Sequence, residues 1–332
     1  METIATDYPA LSATVIRADR VVWSYQYGKV RVDGDDVVTP STRFTAYSTA
    51  KVVTGLAFGR LVEQGQLNLD ASVAEIAPDL PVALHRIRVR DILSHTSGIR
   101  HYISPGDWIA FAEKRCLGPL DALDYFGQDA LLYPPSTAES YSTFAFVLAS
   151  ELLVRITGES DFVDALNQIL EPKELFILDQ PGADKAQPFI RAGRLPQLPK
   201  NLKPDDLIAS PFQSAECKCG GGGLLMRSEQ LASVGASLHN GQILPISELS
   251  DRLKPWSDVS GVVYGAGVQT RTIDGQSVTI FNASGGAPGG RSVLVTLVEP
   301  QISIAIAGNL EGPRLEDTAW KLAEIWIESP PD

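Results

Sequence analysis

Ser48 and Lys51 stand three residues apart, and the chain contains no other S-x-x-K. On a helix that spacing puts both side chains on one face. A hydroxyl beside an amine can become a nucleophile: the amine, or a group that it polarises, takes the proton as the oxygen attacks a carbonyl. The pair sits where a β-rich segment gives way to an apolar helix. The free N–H groups and positive dipole of a helix start favour a developing oxyanion. The same field, with burial, lowers the pKa of Lys51 towards that of a useful base. Alone, the motif also fits a serine cap followed by a surface lysine.

Two further segments carry chemical options. Tyr141-Ser142-Thr143 follows Pro134-Pro135 and directly precedes a helix. Its tyrosine reads either as a half-buried packing residue or as a phenol that a lysine ionises and that shuttles a proton. Ala283-Ser284-Gly285-Gly286-Ala287-Pro288-Gly289 ends a predicted strand. It reads as a flexible loop or bulge, or as a strand edge on which a substrate lies and whose backbone N–H completes an oxyanion hole. His95 reads as part of a structural turn, and Arg100 and His101 as candidates for a cleft rim. H-E-x-x-H, G-x-S-x-G and G-x-x-x-x-G-K are all absent, which disfavours a zinc hydrolase, an α/β-hydrolase and a P-loop enzyme.

The elements that must position these residues are legible in outline. Ala10 to Arg17 alternates and is β-rich, and Val21 to Tyr25 returns as a hairpin partner. Val52, Val53, Leu56, Ala57 and Leu61 form one helical stripe, closed near Gly65. Between residues 70 and 210 strand patterns are rare, and short helical patterns and Pro-containing loops dominate. One clear helix runs from Phe144 to Thr157, closed by Gly158. A helix near Ser228 to Leu238 follows the glycine run Gly220 to Gly223. Strands then return: Tyr264 to Thr272 and Gln276 to Asn282 around Asp274-Gly275, and Val293 to Val298 with Ile302 to Ala307. The chain ends in an amphipathic helix with Leu315, Ala319, Leu322 and Trp326 on one face. The order predicts an α/β (α+β) protein whose antiparallel sheet is built from both ends of the chain. Residues 1–69 and 211–332 would form that discontinuous domain, and 70–210 an inserted, mainly helical one.

Composition sets the outer limits. The 332 residues carry a formal net charge of −12 and 44% hydrophobic residues. An acidic surface argues against nucleic-acid and anionic-membrane partners, and no run reaches the ~20 apolar residues of a membrane span. The N-terminus lacks a basic start and an apolar core, so a cytoplasmic location is expected, or a periplasmic or secreted one if a signal has been removed. Cys116, Cys217 and Cys219 are too few for a disulfide framework and lack zinc spacing, so they read as reduced structural thiols. No metal and no cofactor is implied.

S-x-x-K, then Y-S-x, then strand-S-G-G is the motif order of the serine β-lactamase and penicillin-binding-protein superfamily, and the chain resembles its class C-like side. The resemblance spans roughly Pro9 to Asn309. It extends to Gly65-Gln66-Leu67-Asn68-Leu69-Asp70, Leu93-Ser94-His95-Thr96-Ser97-Gly98-Ile99, Gly222-Gly223-Leu224 and Tyr264-Gly265-Ala266-Gly267. Ser97 to Tyr102 is most similar to the β-lactamase-like serine protease branch. The resemblance implies a β-lactamase/transpeptidase-like fold and an acyl-enzyme mechanism. Ser48 would be the nucleophile, with Lys51 and Tyr141 as the acid–base pair and the backbone N–H groups of Ser48 and Gly286 as the oxyanion hole. Which of Lys51 and Tyr141 takes the first proton stays open.

Two departures shape the expected substrate. The family has Asn where this chain has Thr143, which lacks an amide's paired donor and acceptor. Its third motif begins with Lys or His, where this chain has Ala283. Loss of that cation beside Ser284 and Gly285 favours a small-molecule ester, amide or peptide over β-lactams and carboxylate-terminated D-Ala peptides, although Arg291 could supply a charge from the next loop. The expectation is a carboxylesterase or peptidase/amidase rather than an efficient β-lactamase. The alternatives are an acyltransferase, or a catalytically degenerate binding or regulatory protein on the same fold.

Overall fold

The structure is a computed structural model describing residues 6–31, 33–195, 197–212, 215–273 and 275–328. Along the chain come β1 (Ala10–Arg17), β2 (Arg20–Gly28), the short strands β3 (Phe44–Thr45), β4 (Ile177–Leu178), β5 (Phe189–Arg191), β6 (Leu207–Ala209) and β7 (Leu224–Met226), then β8 (Val262–Val263), β9 (Ala266–Ile273), β10 (Gln276–Ala287), β11 (Gly290–Leu297) and β12 (Ile302–Gly308). The principal helices are α1 (Ala50–Glu63), α2 (Pro105–Ala112), α3 (Thr143–Thr157), α4 (Phe162–Leu170), α5 (Ser228–Ala236) and α6 (Glu316–Glu328). The main sheet has seven antiparallel strands in the order β2-β1-β12-β11-β10-β9-β8. Both ends of the chain therefore close one sheet, as the sequence predicts. Asp274 of the expected β9–β10 turn lies outside the described residues.

The sheet is buried on both faces. Leu11, Ala13 and Val15 of β1 join Ile304, Ile306, Leu315 and Ala319 beneath α6. Each such side chain contributes roughly 1.5–3 kcal/mol on burial. Ser12 and Thr14 face the other way, and both reach Ser228 Oγ at the start of α5, at 2.8 and 2.7 Å. These buried hydroxyls satisfy one another. Helix α5 lies so close to the sheet that a Cβ on Gly235 would stand 2.2 Å from Thr296 Oγ1.

A second, larger core joins α1 to α3, with Val52, Val53 and Leu56 clustered with Phe144, Phe146 and Leu148. Helix α3 starts on a true cap, Ser142 Oγ accepting from Ala145 N at 3.0 Å, and ends at Gly158 in the left-handed region (φ 73°), as its sequence signals. Helix α1 starts differently. A 3-10 turn, Tyr47–Thr49, leads into it, and neither start carries a side-chain cap bond. The Ser48 hydroxyl is thus not spent on capping.

Of the two readings of the segment after Asn282, loop or strand edge, the structure has the strand: β10 runs on to Ala287, with Ser284 to Ala287 opposite Val293 to Gly290 of β11. Strand pairing there uses backbone alone, so the glycines do not end it. One expectation is corrected. The cysteines are not all reduced thiols. Cys116 and Cys217, 101 residues apart in sequence, form a disulfide with Cα atoms 5.2 Å apart, and Cys219 stays free and buried. Folding brings the segment after α2 onto the turn Glu216–Gly221, a juxtaposition that local spacing cannot reveal. Among the described residues no helix is long and apolar enough to cross a membrane.

Candidate active site

Ser48 Oγ lies 2.5 Å from the Tyr141 hydroxyl and 3.3 Å from Lys51 Nζ. The first turn of α1 fixes the serine and the lysine relative to each other, and the residues just before capped α3 hold the tyrosine against them. Lys51 is 1% exposed. Its ammonium donates to Gly221 O at 2.5 Å and to Thr143 Oγ1 at 3.4 Å as well as to Ser48, so its donors are shared around the cluster. Thr143, at the position where the family has Asn, is thereby brought into the cluster.

Electrostatics couple the pair. Burial pushes the Lys51 ammonium down, opposed by the Tyr141 phenol beside it. Burial alone would raise the Tyr141 phenol. The charge of Lys51, with hydrogen bonds from Lys51, Ser48 and Thr143, outweighs it and holds the phenol below its ordinary value. Although 41% of Tyr141 is exposed, its hydroxyl meets this cluster, and Lys51 Nζ sits 4.9 Å from its ring centre.

The backbone at the serine is strained. Tyr47, immediately before it, has φ 48°, a left-handed conformation costly for a tyrosine. Strand β10 passes directly alongside: a Cβ on Gly285 would stand 2.6 Å from Ser48 N. Only glycine permits that approach. Ser284, Gly285 and Gly286 line a cleft of about 560 Å³ together with Ser48, Tyr141 and Thr143. Arg291 also lines it, its Nε donating to Gly312 O at 3.0 Å. Ala283 does not: it is half-buried and packs against the large core.

The histidines resolve into different roles. His95 is buried in a left-handed turn (φ 59°), its Nδ1 accepting from Ser142 N at 3.3 Å and its ring 4.6 Å from that of Tyr141. His101 lines the cleft, edge-on to Tyr141 at 5.1 Å, and its Nδ1 accepts from Thr143 N at 3.2 Å. Both must be neutral to accept these bonds. Burial, with the charge of Lys51, pushes His95 down to about 3 and His101 to about 4. Arg100 is corrected: it is not among the residues lining the cleft. Its side chain is largely buried and pairs with Asp107 at 3.0 Å and Asp129 at 2.5 Å.

Trp108 on α2 and Lys218 in the turn before β7 also line the cleft, and no motif singled out either side chain. Lys218 stands between two cysteines and belongs to no motif. Among the described residues no cluster of histidine, cysteine or carboxylate side chains could hold a metal ion.

Comparison with known proteins agrees with the fold. The Beta-lactamase family model matches residues 2–325. Penicillin-binding protein 4 of Amycolatopsis lactamdurans is 34% identical over 140 residues, covering 40% of this chain and 34% of that protein. The chain spans about a third of the length of the curated relatives it matches. Among solved structures, a penicillin binding protein from Bacillus halodurans superposes with TM-score 0.78 at 18% identity, covering 98% of both chains. A D-amino acid amidase from Ochrobactrum anthropi SV3 superposes with TM-score 0.73 at 18% identity, covering 98% of this chain and 94% of that one. At such identities the likeness shows the fold: β-lactamase/transpeptidase-like, an antiparallel sheet with helices.

Proposed function

The chain belongs to the Beta-lactamase family, and on that premise we propose that it is a serine hydrolase acting through an acyl-enzyme on an ester or amide. The observation that carries the reading is the 2.5 Å contact between Ser48 Oγ and the Tyr141 hydroxyl, with Lys51 Nζ behind both.

Tyr141 takes the first proton. It is closer to Ser48 Oγ than Lys51 is, and its phenol is held below its usual value, whereas Lys51 already gives three hydrogen bonds. In acylation the Ser48 Oγ–H proton passes to the Tyr141 phenolate as Oγ bonds the substrate carbonyl carbon. The carbonyl oxygen collects negative charge facing the backbone N–H groups of Ser48 and Gly286. The bond to the leaving alcohol or amine then breaks, and Tyr141 returns the proton to it. In deacylation water replaces the leaving group. Tyr141 takes its proton, hydroxide bonds the acyl carbon, the bond to Oγ breaks, and Ser48 recovers its proton. Lys51 stays charged throughout and stabilises each phenolate state.

Ala283 packs on the core rather than presenting a cation to the cleft, which favours ordinary esters, amides or short peptides over β-lactams. The Cys116–Cys217 disulfide favours an oxidising compartment over the reducing cytoplasm. A panel of p-nitrophenyl esters, D-amino-acid anilides, L-peptides and nitrocefin, each compared with Ser48→Ala, tests the reading. Ester or amide turnover lost in Ser48→Ala supports it. Turnover that persists in Ser48→Ala, or nitrocefin matching the best ester, contradicts it.

A further inference from the structure

Lys218 is a cation in the cleft with nothing to neutralise it. The side chain is 8% exposed and lines the same cleft as Ser48. Its Nζ lies 5.3 Å over the Trp108 ring, and Trp108 is itself braced edge-on by Phe212 at 4.5 Å. An aromatic face attracts the charge but leaves the three N–H donors free. Among the described residues no carboxylate pairs with Lys218 and no acceptor bonds its Nζ. The one acid that acts on it, Asp179, is bonded by Lys185 and by Thr45 Oγ1. The cleft's own carboxylates are engaged as well, Glu311 with Arg194 at 2.7 Å and Glu316 with Arg314 at 3.9 Å. Burial and the charge of Lys51 push Lys218 down to about 8. The stem is buried, yet Nζ keeps access to the cleft, so an anion entering the cleft can take its N–H donors.

Its place relative to the strand says which part of a substrate it meets. Lys218 borders a small recess shared with Ala287 and Pro288, at the far end of β10. Ala283 is four residues back, about 13 Å along an extended strand. The cation is therefore not a substitute at the Ala283 end. Tyr141, which hands the proton to the leaving group, stands beside Ser48 on the α3 side. An acyl chain on the side away from Tyr141 would lie along Gly286 to Pro288, towards Trp108.

Resting on the serine-hydrolase reading, we propose that Lys218, backed by Trp108, is the specificity determinant for the acyl group, and that the substrates are esters or amides of acyl chains ending in a carboxylate. Lys218 recognises that carboxylate while Ser48 attacks the carbonyl at the other end.

The test uses p-nitrophenyl hemi-esters of succinate, glutarate and adipate beside uncharged esters of equal chain length, with Ser48→Ala as background. The wild-type kcat/KM should favour at least one hemi-ester over its neutral counterpart by about 10- to 100-fold, the range of a charge-assisted hydrogen bond. In Lys218→Met, which keeps the buried stem, that preference should fall at least tenfold, mainly through KM, with an unchanged melting temperature. Wild-type protein that hydrolyses the neutral esters as fast as the hemi-esters overturns the proposal, whatever the variant does. So does a preference that survives Lys218→Met or is lost instead in Arg291→Gln. Hydrolysis persisting in Ser48→Ala would overturn the underlying reading, a separate outcome.

Discussion

The hydroxyls of Ser48 and Tyr141, 93 residues apart in sequence, meet at 2.5 Å. The contact joins the turn before one helix to the residues before another, and the packing of α1 on α3 sets its length. On the proposed mechanism, removing the phenolic oxygen removes the proton path while leaving the packing. Tyr141→Phe should lower kcat by two to four orders of magnitude, the span typical of a lost general acid–base group. Its melting temperature should stay near that of the wild type.

Lys51 keeps the phenol acidic against the effect of burial. In Lys51→Met burial is opposed only by the hydrogen bonds of Ser48 and Thr143, so the Tyr141 phenol should titrate higher than in the wild type. Phenolate absorbance followed through an alkaline titration, with Tyr141→Phe as the blank, reads the shift directly. A Tyr141 titration unmoved by Lys51→Met would contradict the coupling.

Gly285 leaves no room for a side chain beside Ser48 N. Gly285→Ala should displace strand or nucleophile by a fraction of an ångström or more. Displacements approaching 1 Å cost catalysis about 10²-fold. Activity should fall far more than thermal stability, measured on the same preparation.

These three predictions differ in how far the sequence foretells them. Ser48 and Lys51 are neighbours on one helical turn, so their proximity follows from spacing alone. The strands at the two ends of the chain announce themselves by alternation, and α3 by its cap and Gly158. That Tyr141 faces Ser48 is another matter: no local pattern brings residues 48 and 141 together, and only the family's motif order suggested it. Lys218 and the Cys116–Cys217 bond left no local trace, because both depend on the turn at 216–221 folding over the segment that follows α2. Arg100 and His101 read alike as rim candidates, and only His101 lines the cleft. Asp107 and Asp129, contributed by other parts of the fold, draw Arg100 away instead.

The disulfide closes a loop of about a hundred residues, for which chain-entropy arguments give on the order of 4–5 kcal/mol and removal of native bonds typically 2–5 kcal/mol. Cys217→Ser, or reduction with a thiol, should lower the melting temperature by several degrees. It should also loosen the turn that carries Gly221, the acceptor for Lys51, and so reduce kcat. Unchanged thermal stability under reduction would contradict a native disulfide.

Acid should destabilise the fold through its buried histidines. His95 is held at about 3, His101 and His239 at about 4, by burial first in every case. The unfolded chain binds these protons near pH 6.5 and the native one does not, so this stability is whole above about 6.5 and drains as pH falls towards 3–4. His95 alone is worth on the order of 4–5 kcal/mol across that window. Melting temperature against pH should slope steeply there, and His95→Gln should flatten part of the slope.

Every step proposed for the cleft requires Ser48 to be a nucleophile. Folded protein treated with excess fluorophosphonate and weighed by intact mass spectrometry tests that most directly. One covalent adduct, mapped to the peptide containing Ser48 and absent from Ser48→Ala, is the predicted result. An unchanged mass, or an adduct that persists in Ser48→Ala, would contradict it.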